Sequence, residues 1–150
     1  MSDDQIFHFS TEVRVRLPET DAMGIVFHGN YLTYLEVGRV DYLANLGLTE
    51  GNRPIRDFEN VVVQAQVDFK SPARLHDLLT IDVKTSEIRK SSFKFSFRLR
   101  HRKQNRLIAL GHTIHCAIGE DFAPIPVPEH FRSVVAQFEG WPDASRSGRR

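Results

Sequence analysis

A carboxylate, two glycines and an imidazole stand close together near the start of the chain, in the stretch TDAMGIVFHGN. Asp21 and Gly24 fall in a turn sequence, and His28 and Gly29 come just before Asn30, a residue type that caps helices. A helix that begins here would present free backbone N–H groups and the positive end of its dipole beside the two side chains. This combination suits attack on a carbonyl carbon, although a plain capped turn with a surface histidine fits the same residues.

A long helix is predicted directly after this stretch, because apolar residues recur at helical spacing over residues 30–46. Gly47 stands where a left-handed residue that ends a helix is expected. The helix is apolar around much of its circumference, so other elements should wrap it. Glu36 and Arg39 are three residues apart and are expected to pair on its surface rather than to act in catalysis.

Alternating apolar and polar residues predict five strands. They cover residues 11–17, 60–69, 77–85, 91–100 and 106–118. In the second strand the pattern places on one face Val61, Val63, Ala65, Val67 and Phe69. In the last strand Cys116 alternates with apolar residues and is expected to be a small buried hydrophobe, while His112 and His115 fall on opposite faces and are interpreted as structural.

The order of these elements indicates the fold class. Short connections between the last four strands force antiparallel neighbours, since a parallel crossover needs about a dozen residues or more. A five-stranded antiparallel sheet must then cover one apolar helix, which gives an α+β domain with the helix along the concave face. Residues 131–138 predict a short amphipathic helix after a proline-rich exit. We expect a single domain over residues 1–140 and a basic, disordered tail over residues 141–150.

Composition restricts the classes of protein that the chain can belong to. The 150 residues are 41% hydrophobic and 26% charged with a net charge of +1, which gives no bulk attraction to nucleic acid or membrane. One cysteine excludes an internal disulfide, and the acidic N-terminus lacks the features of a signal peptide. No apolar run approaches the roughly 20 residues of a membrane span. A cytoplasmic, soluble protein is therefore expected, with neither nucleic acid nor membrane as a partner.

Two blocks of residues resemble a known family. The first contains Asp21-Ala22-Met23-Gly24-Ile25-Val26, His28, Asn30-Tyr31 and Glu36 through Arg39, and the second Val67-Asp68-Phe69, Ser71-Pro72-Ala73-Arg74-Leu75 and Asp77. With the strand order, they make residues 10–120 similar to hotdog-fold acyl-CoA thioesterases of the 4-hydroxybenzoyl-CoA thioesterase type, near the branch associated with the Tol-Pal system. The resemblance implies a five-stranded sheet wrapped around the central helix and hydrolysis of an acyl-CoA to free acid and coenzyme A.

The resemblance also implies roles for particular residues. Asp21 corresponds to the catalytic carboxylate of the family, and His28 to a contributing histidine. A backbone N–H near His28 or Gly29 corresponds to the oxyanion donor. Members of the family assemble as homodimers and often as homotetramers, with each active site between subunits.

Further residues are expected to contact the substrate. Gly24 should let the chain turn tightly or approach the substrate. The acyl pocket is expected to be lined from two subunits by residues that include Val26, Tyr31 and Val63. A tight turn between two strands is the candidate site for the phosphates of coenzyme A, with a plain solvated hairpin as the alternative: Arg89, Lys90, Ser91 and Ser92.

Other mechanisms have less support in the sequence. The seven histidines form no H-E-x-x-H pattern and there is no G-x-S-x-G elbow, so neither a metal site nor a serine triad is expected. No cofactor is expected beyond the coenzyme A of the substrate. Two alternatives stay open: a hotdog hydratase or dehydratase acting on acyl-CoA or acyl carrier protein, and a non-catalytic acyl-CoA-binding or adaptor protein. Whether Asp21 acts as general base or as nucleophile also stays open.

Overall fold

A 15-residue helix, α1 (Tyr31–Asn45), lies against one face of a five-stranded sheet in the computed structural model, which describes residues 6–142. The strands are β1 (Phe9–Arg14), β2 (Glu59–Phe69), β3 (Leu78–Ile88), β4 (Ser92–His101) and β5 (Arg106–Ile118). Their order is β1-β3-β4-β5-β2, and every neighbouring pair is antiparallel. A second helix, α2, follows at Glu129–Glu139. The predicted α+β architecture is confirmed.

The core lies between α1 and the concave face of the sheet. The strict alternation of β4 sends its aromatic side chains inward, so that Phe95 and Phe97 are fully buried, as predicted. Gly38 lets the helix come close to β3, because a Cβ atom at this position would lie 2.7 Å from Ile81 Cγ2. At the end of α1, Gly47 has a φ of +75°, which confirms the predicted left-handed residue.

The first strand ends earlier than predicted. β1 stops at Arg14, and Leu17–Glu19 form one turn of 3-10 helix with Pro18 inside it. The predicted extension of this strand to Leu17 is therefore wrong, and the Leu17 side chain is 68% exposed. Since proline has no N–H to give to a ladder, the chain leaves the sheet before reaching it.

A bulge divides β2 into two parts. Its pairing with β5 shifts register between Val62 and Gln64, so Val63 is an extra residue in the ladder. Alternation reverses at a bulge, and Val62 rather than Val61 shares the inner face with Phe69. The prediction of one apolar face running through Val61 and Val63 is therefore wrong.

The inner face of β5 carries small and polar residues. Gly111 lies under α1, and a Cβ atom there would be 3.1 Å from Leu35 Cδ1. This close approach sets the alternation of the strand, so His115 points inward at 1% exposure and His112 lies on the opposite face, as predicted. Cys116 is only half-buried and lies on the outer face, so its prediction as a buried hydrophobe is wrong.

Helix α2 packs at one end of this core. The Glu139 carboxylate accepts hydrogen bonds from the Tyr42 hydroxyl and from the Thr85 N–H, the latter at 3.0 Å. Within residues 6–142, no helix is both long and apolar enough to cross a membrane. Disorder is predicted for the tail over residues 141–150, and residues 143–150 lie outside the part of the chain that the structure describes.

Candidate active site

Asp21 begins a tight turn that ends at Gly24. The Gly24 N–H donates to the Asp21 carbonyl over 2.9 Å, and the Met23 N–H donates to Asp21 Oδ1 over 2.8 Å. Gly24 has a φ of +78°, a conformation that L side chains rarely adopt. The turn therefore fixes the carboxylate by its own backbone, and one of its oxygens already accepts a hydrogen bond.

The loop between β2 and β3 holds this turn in place. The Val26 N–H donates to the Ala73 carbonyl over 2.9 Å, and Ile25 forms a bridge with Arg74. Ala73 is fully buried. The block Pro72-Ala73-Arg74-Leu75 therefore acts as a structural support of the Asp21 turn.

Glu19 is a buried carboxylate two residues before Asp21 and was not among the predicted residues. It is 7% exposed, and its Oε1 accepts from the Tyr34 hydroxyl at 2.7 Å and from the Arg16 N–H at 3.0 Å. Burial alone would raise the pKa of Glu19, but the hydrogen bonds from the Arg16 N–H and Tyr34 and the Arg16 guanidinium outweigh it and lower the pKa. Glu19 is thus an ionised anchor between the loop and α1.

The start of α1 differs in detail from the prediction. A turn of 3-10 helix, His28–Asn30, precedes the α-helix, and the Asn30 side chain makes no capping bond. Its Nδ2 donates instead to the Glu19 carbonyl over 2.9 Å, so the prediction of Asn30 as a side-chain cap is wrong. Among the hydrogen bonds of the described residues, the N–H groups of His28 and Gly29 have no acceptor. These two donors stay available to a ligand.

A crevice of about 320 Å³ brings together four of the predicted residues, namely Asp21, Val26, His28 and Tyr31. Its lining includes Asp21, Val26, His28, Tyr31, Phe69 and Pro72. Val26 and Tyr31 form its buried floor, at 3% and 4% exposure. The prediction of Val63 as a lining residue of this pocket is not met within one protomer, because the bulge leaves Val63 60% exposed and outside the crevice.

The predicted phosphate site is a hairpin turn far from Asp21 within the protomer. The Arg89 N–H donates to the Ser92 carbonyl over 2.7 Å, and Arg89 Nε donates to Glu87 Oε2 over 2.6 Å. The turn lies at the start of β4, whereas the Asp21 crevice lies beyond the other end of the sheet. The ten residues of β4 lie between the hairpin turn and the Asp21 end of the sheet. At ~3.3 Å per residue they separate the turn from the crevice by roughly 30 Å. One protomer therefore does not bring the turn and Asp21 together.

A family model described as the thioesterase superfamily matches residues 23–108. The acyl-CoA thioesterase YbgC of Haemophilus influenzae is 35% identical over 92 residues, which cover 61% of this chain and 68% of that protein. The acyl-CoA thioester hydrolase YbgC of Escherichia coli O6:H1 is 28% identical over 131 residues, covering 87% of this chain and 96% of that protein. A crystal structure of a thioesterase from Thermus thermophilus, complexed with coenzyme A and Zn, has a TM-score of 0.79 and 25% identity over 91% of this chain and 98% of its own.

Proposed function

Because the chain belongs to the hotdog-fold thioesterase superfamily and hydrolyses acyl-CoA thioesters, we propose that Asp21 is the carboxylate that drives the reaction. The observation that carries this proposal is the crevice that Asp21 and His28 line together at the start of α1, where the N–H groups of His28 and Gly29 have no acceptor among the described residues. Asp21 either takes a proton from the attacking water or attacks the thioester carbonyl itself. The coenzyme A thiolate is a good leaving group, so the proposed reaction uses no cofactor of its own.

The N–H groups of His28 and Gly29 are proposed as the oxyanion hole. They lie at the positive end of the α1 dipole, where negative charge that develops on the carbonyl oxygen is stabilised. The absence of a side chain at Gly29 supports this role. A Cβ atom there would come within 2.9 Å of the Phe27 ring, and the displaced ring would disturb the backbone that carries the donors.

His28 is proposed to orient the water or the thioester carbonyl. Its ring lies between Phe27 and Phe69, with ring centroids at 4.3 Å and 6.4 Å, and it lines the crevice with Asp21. Two aromatic neighbours restrict the positions of an otherwise exposed imidazole. A supporting role predicts a smaller loss of rate on removal of His28 than on removal of Asp21.

We propose a homodimer that pairs β2 with β2 of a second copy. β2 lies at the edge of the sheet, and its inner face exposes Val62 and Phe69 by 51% and 53%. An exposed edge strand with apolar side chains is a template for pairing. Such a pairing would also close the open side of the crevice, consistent with an active site between subunits.

The turn at residues 89–92 stays a proposal for the phosphates of coenzyme A, and in the dimer it would serve the active site of the other copy. When the two β2 strands pair antiparallel, the two sheets run in opposite directions. The sheet end with the β3–β4 turn of one protomer then lies beside the sheet end with Asp21 of its partner. Lys90 is exposed there and available to a phosphate group. A homotetramer and an acyl carrier protein as carrier of the acyl group are further proposals.

The experiment that tests the function is hydrolysis of a panel of acyl-CoAs, followed by thiol release, with the wild type, Asp21→Asn and Asp57→Asn. Asp21→Asn should lower kcat at least 100-fold, within the range of about 10²–10⁴ for loss of a general base. Asp57 is exposed and lies outside the crevice, so Asp57→Asn should keep wild-type activity. Survival of Asp21→Asn within a few-fold of wild type would refute the assignment. Binding without turnover by the wild type would favour the adaptor alternative.

A further inference from the structure

A second cavity, of about 690 Å³, opens at the end of the sheet where β1 and β4 end and β3 begins. Its volume lies within the range of about 300–1,000 Å³ that is typical of ligand pockets. Three cationic side chains and one carboxylate line it, so we call it the basic cleft. The lining includes Arg14, His76, Asp77, His101, Arg102 and Lys103. None of these residues lines the crevice of Asp21.

Positive charge prevails in the basic cleft. Arg102 Nε pairs with Glu12 Oε2 at 2.6 Å. Arg14 Nη1 donates to the His76 carbonyl over 3.1 Å, which is a contact with a neutral group. Neither Arg14 nor Lys103 forms an ion pair with a carboxylate of residues 6–142. Two cationic groups are therefore available to an anion that enters the cleft.

The carboxylate of the basic cleft holds its walls together. Asp77 Oδ2 accepts from the Arg74 N–H over 2.8 Å, and Asp77 Oδ1 lies 3.4 Å from His101 Nε2. The Nδ1 atom of His101 accepts from the Gln104 N–H over 3.1 Å, so the neutral ring carries its proton on Nε2, toward Asp77. These contacts join the turn between β4 and β5 to the loop before β3. The walls of the cleft are thus fixed relative to each other before a ligand binds.

His76 has an unusual backbone conformation at the edge of the cleft. Its φ is +73°, in the left-handed region where residues other than glycine are uncommon. Its N–H donates to the Val15 carbonyl over 3.1 Å, and its carbonyl accepts the hydrogen bond from Arg14. Such conformations cost on the order of 1–3 kcal/mol and are concentrated at ligand sites. Here the conformation orients the carbonyl that positions the Arg14 guanidinium.

The two available cations suit a phosphate monoester. This group carries a charge of about −1.5 to −2 near pH 7 and three strong acceptor oxygens. An arginine can donate two parallel N–H bonds to phosphate, and a lysine supplies a point charge. Arg14 comes from β1 and Lys103 from the turn after β4, so each can approach a different oxygen. The volume of the cleft leaves room for the rest of a small molecule beyond the phosphate.

The basic cleft is separated from the Asp21 crevice across the end of the sheet. The crevice includes Phe69, the last residue of β2, whereas the cleft lies at β1, β3 and β4. In the strand order, β3 is three positions from β2, which is roughly 14 Å at ~4.8 Å per strand. A ligand in the cleft therefore leaves the crevice open to an acyl-CoA.

We propose that the basic cleft binds the phosphate monoester of a small molecule other than the substrate. Arg14 and Lys103 contact the phosphate. His76 and Asp77 belong to the same loop as Arg74, which forms a bridge with the turn of Asp21. A bound phosphate thus ties the loop that supports the catalytic turn to β1 and to the turn after β4. This inference does not depend on the mechanism of hydrolysis.

Calorimetric titration of the full chain tests the ligand class, with AMP, inorganic phosphate and adenosine as probes. AMP and inorganic phosphate should both bind. Adenosine should bind at least tenfold more weakly than AMP, since one charge-assisted hydrogen bond contributes about a factor of ten or more. Equal affinities for adenosine and AMP would overturn the proposal. So would the absence of binding by both phosphate compounds up to about 10 mM.

Variants assign the binding to the basic cleft. Arg14→Gln and Lys103→Gln should each weaken AMP binding about tenfold. Arg56→Gln removes the same charge at an exposed position outside both the cleft and the crevice, and it should keep the wild-type affinity. An equal loss in all three variants would show an effect of net charge alone and would refute the site. Lys103 is an exposed turn residue, so Lys103→Gln decides the question even if Arg14→Gln does not fold.

Competition with coenzyme A tests whether the ligand is separate from the substrate, because coenzyme A carries a phosphate monoester of its own. The AMP titration is repeated at a saturating concentration of coenzyme A. The dissociation constant for AMP should change by less than about threefold. Displacement of AMP in proportion to the coenzyme A concentration would contradict a separate ligand. Thiol release from acyl-CoA should stay at the wild-type rate in Arg14→Gln and Lys103→Gln, since neither residue lines the crevice.

Discussion

Glu19 lies two residues before Asp21, and its buried carboxylate joins the catalytic loop to α1 through Tyr34. We expect Glu19→Ala to lower kcat/KM about tenfold and stability by roughly 2 kcal/mol, since it leaves the buried Tyr34 hydroxyl and the part-buried Arg16 N–H without their charged acceptor. Glu19→Gln keeps an acceptor and should recover most of the activity. Steady-state kinetics and urea unfolding check both effects. A fully active Glu19→Ala variant would show that the loop keeps its position without this anchor.

His115 makes stability depend on pH. Burial holds its pKa at about 4, below the ordinary 6.5, so between these values the unfolded chain binds more protons than the folded one. The contribution of this group is present above pH 6.5 and is lost as the pH falls through about 4, to a total of roughly 3 kcal/mol. We expect His115→Gln to show a weaker pH dependence of urea unfolding than wild type between about pH 7 and about pH 4. Parallel curves for the two proteins would contradict a buried neutral ring.

Individual residues of the site differ in how well the sequence predicts them. Asp21, His28 and Tyr31 are close in sequence, so local turn and helix signals place them near one another, and the resemblance adds the expectation that they share a site. Glu19 carries no such signal, because its partner Tyr34 comes 15 residues later and the contact exists only in the folded loop. The contact between Asn60 and His115 of β5 joins residues that are 55 positions apart, so no local signal predicts it either.

At the scale of elements, the contact between α1 and β3 depends on Gly38. A side chain at this position would meet Ile81 and Val83, which are fully buried and cannot move aside. We expect Gly38→Val to destabilise the fold by about 1–3 kcal/mol through overpacking. Ala44→Val places the same residue on an exposed part of the helix and should change stability by less than about 0.7 kcal/mol, the range of helix propensity. Equal midpoints in thermal unfolding for the two variants would show that the helix can shift.

The strands also differ in how far the sequence predicts them. β4 alternates strictly, and its buried face is correctly predicted. β2 has the same kind of pattern, but its bulge at Val63 arises from pairing with β5 and leaves no local trace. In β5 the face with Gly111 and His115 points toward α1, because Leu35 approaches Gly111 too closely for a side chain to fit there. This constraint outweighs the preference of Ile114 and Cys116 for burial.

For the whole molecule, the proposed dimer makes assembly and activity inseparable. Ala65 lies exposed on the inner face of β2, and Gln66 lies exposed on the outer face. A lysine at position 65 would place a charge in the apolar contact between copies, so Ala65→Lys should give folded monomers without activity. Gln66→Lys should leave both properties unchanged. Sedimentation velocity and thiol release check the pair, and an active monomer of Ala65→Lys would contradict a site shared between subunits.

The fold of one chain was predictable because its signals are local and repeated. The assembly was expected from the resemblance and from the need of an edge strand for a partner, but no local pattern says which edge strand meets a copy. The exposed apolar side chains of β2 beside α1 are the physical reason for proposing that contact.

The half-buried Cys116 is the single thiol of the chain, and it faces away from α1 next to the edge strand. It therefore offers one natural attachment point for a fluorescent maleimide, with no engineered cysteine and no second label to remove. Chains carrying donor and acceptor dyes at this sulfur would report subunit exchange by energy transfer. The dissociation constant of the proposed dimer could then be measured in the same sample as turnover.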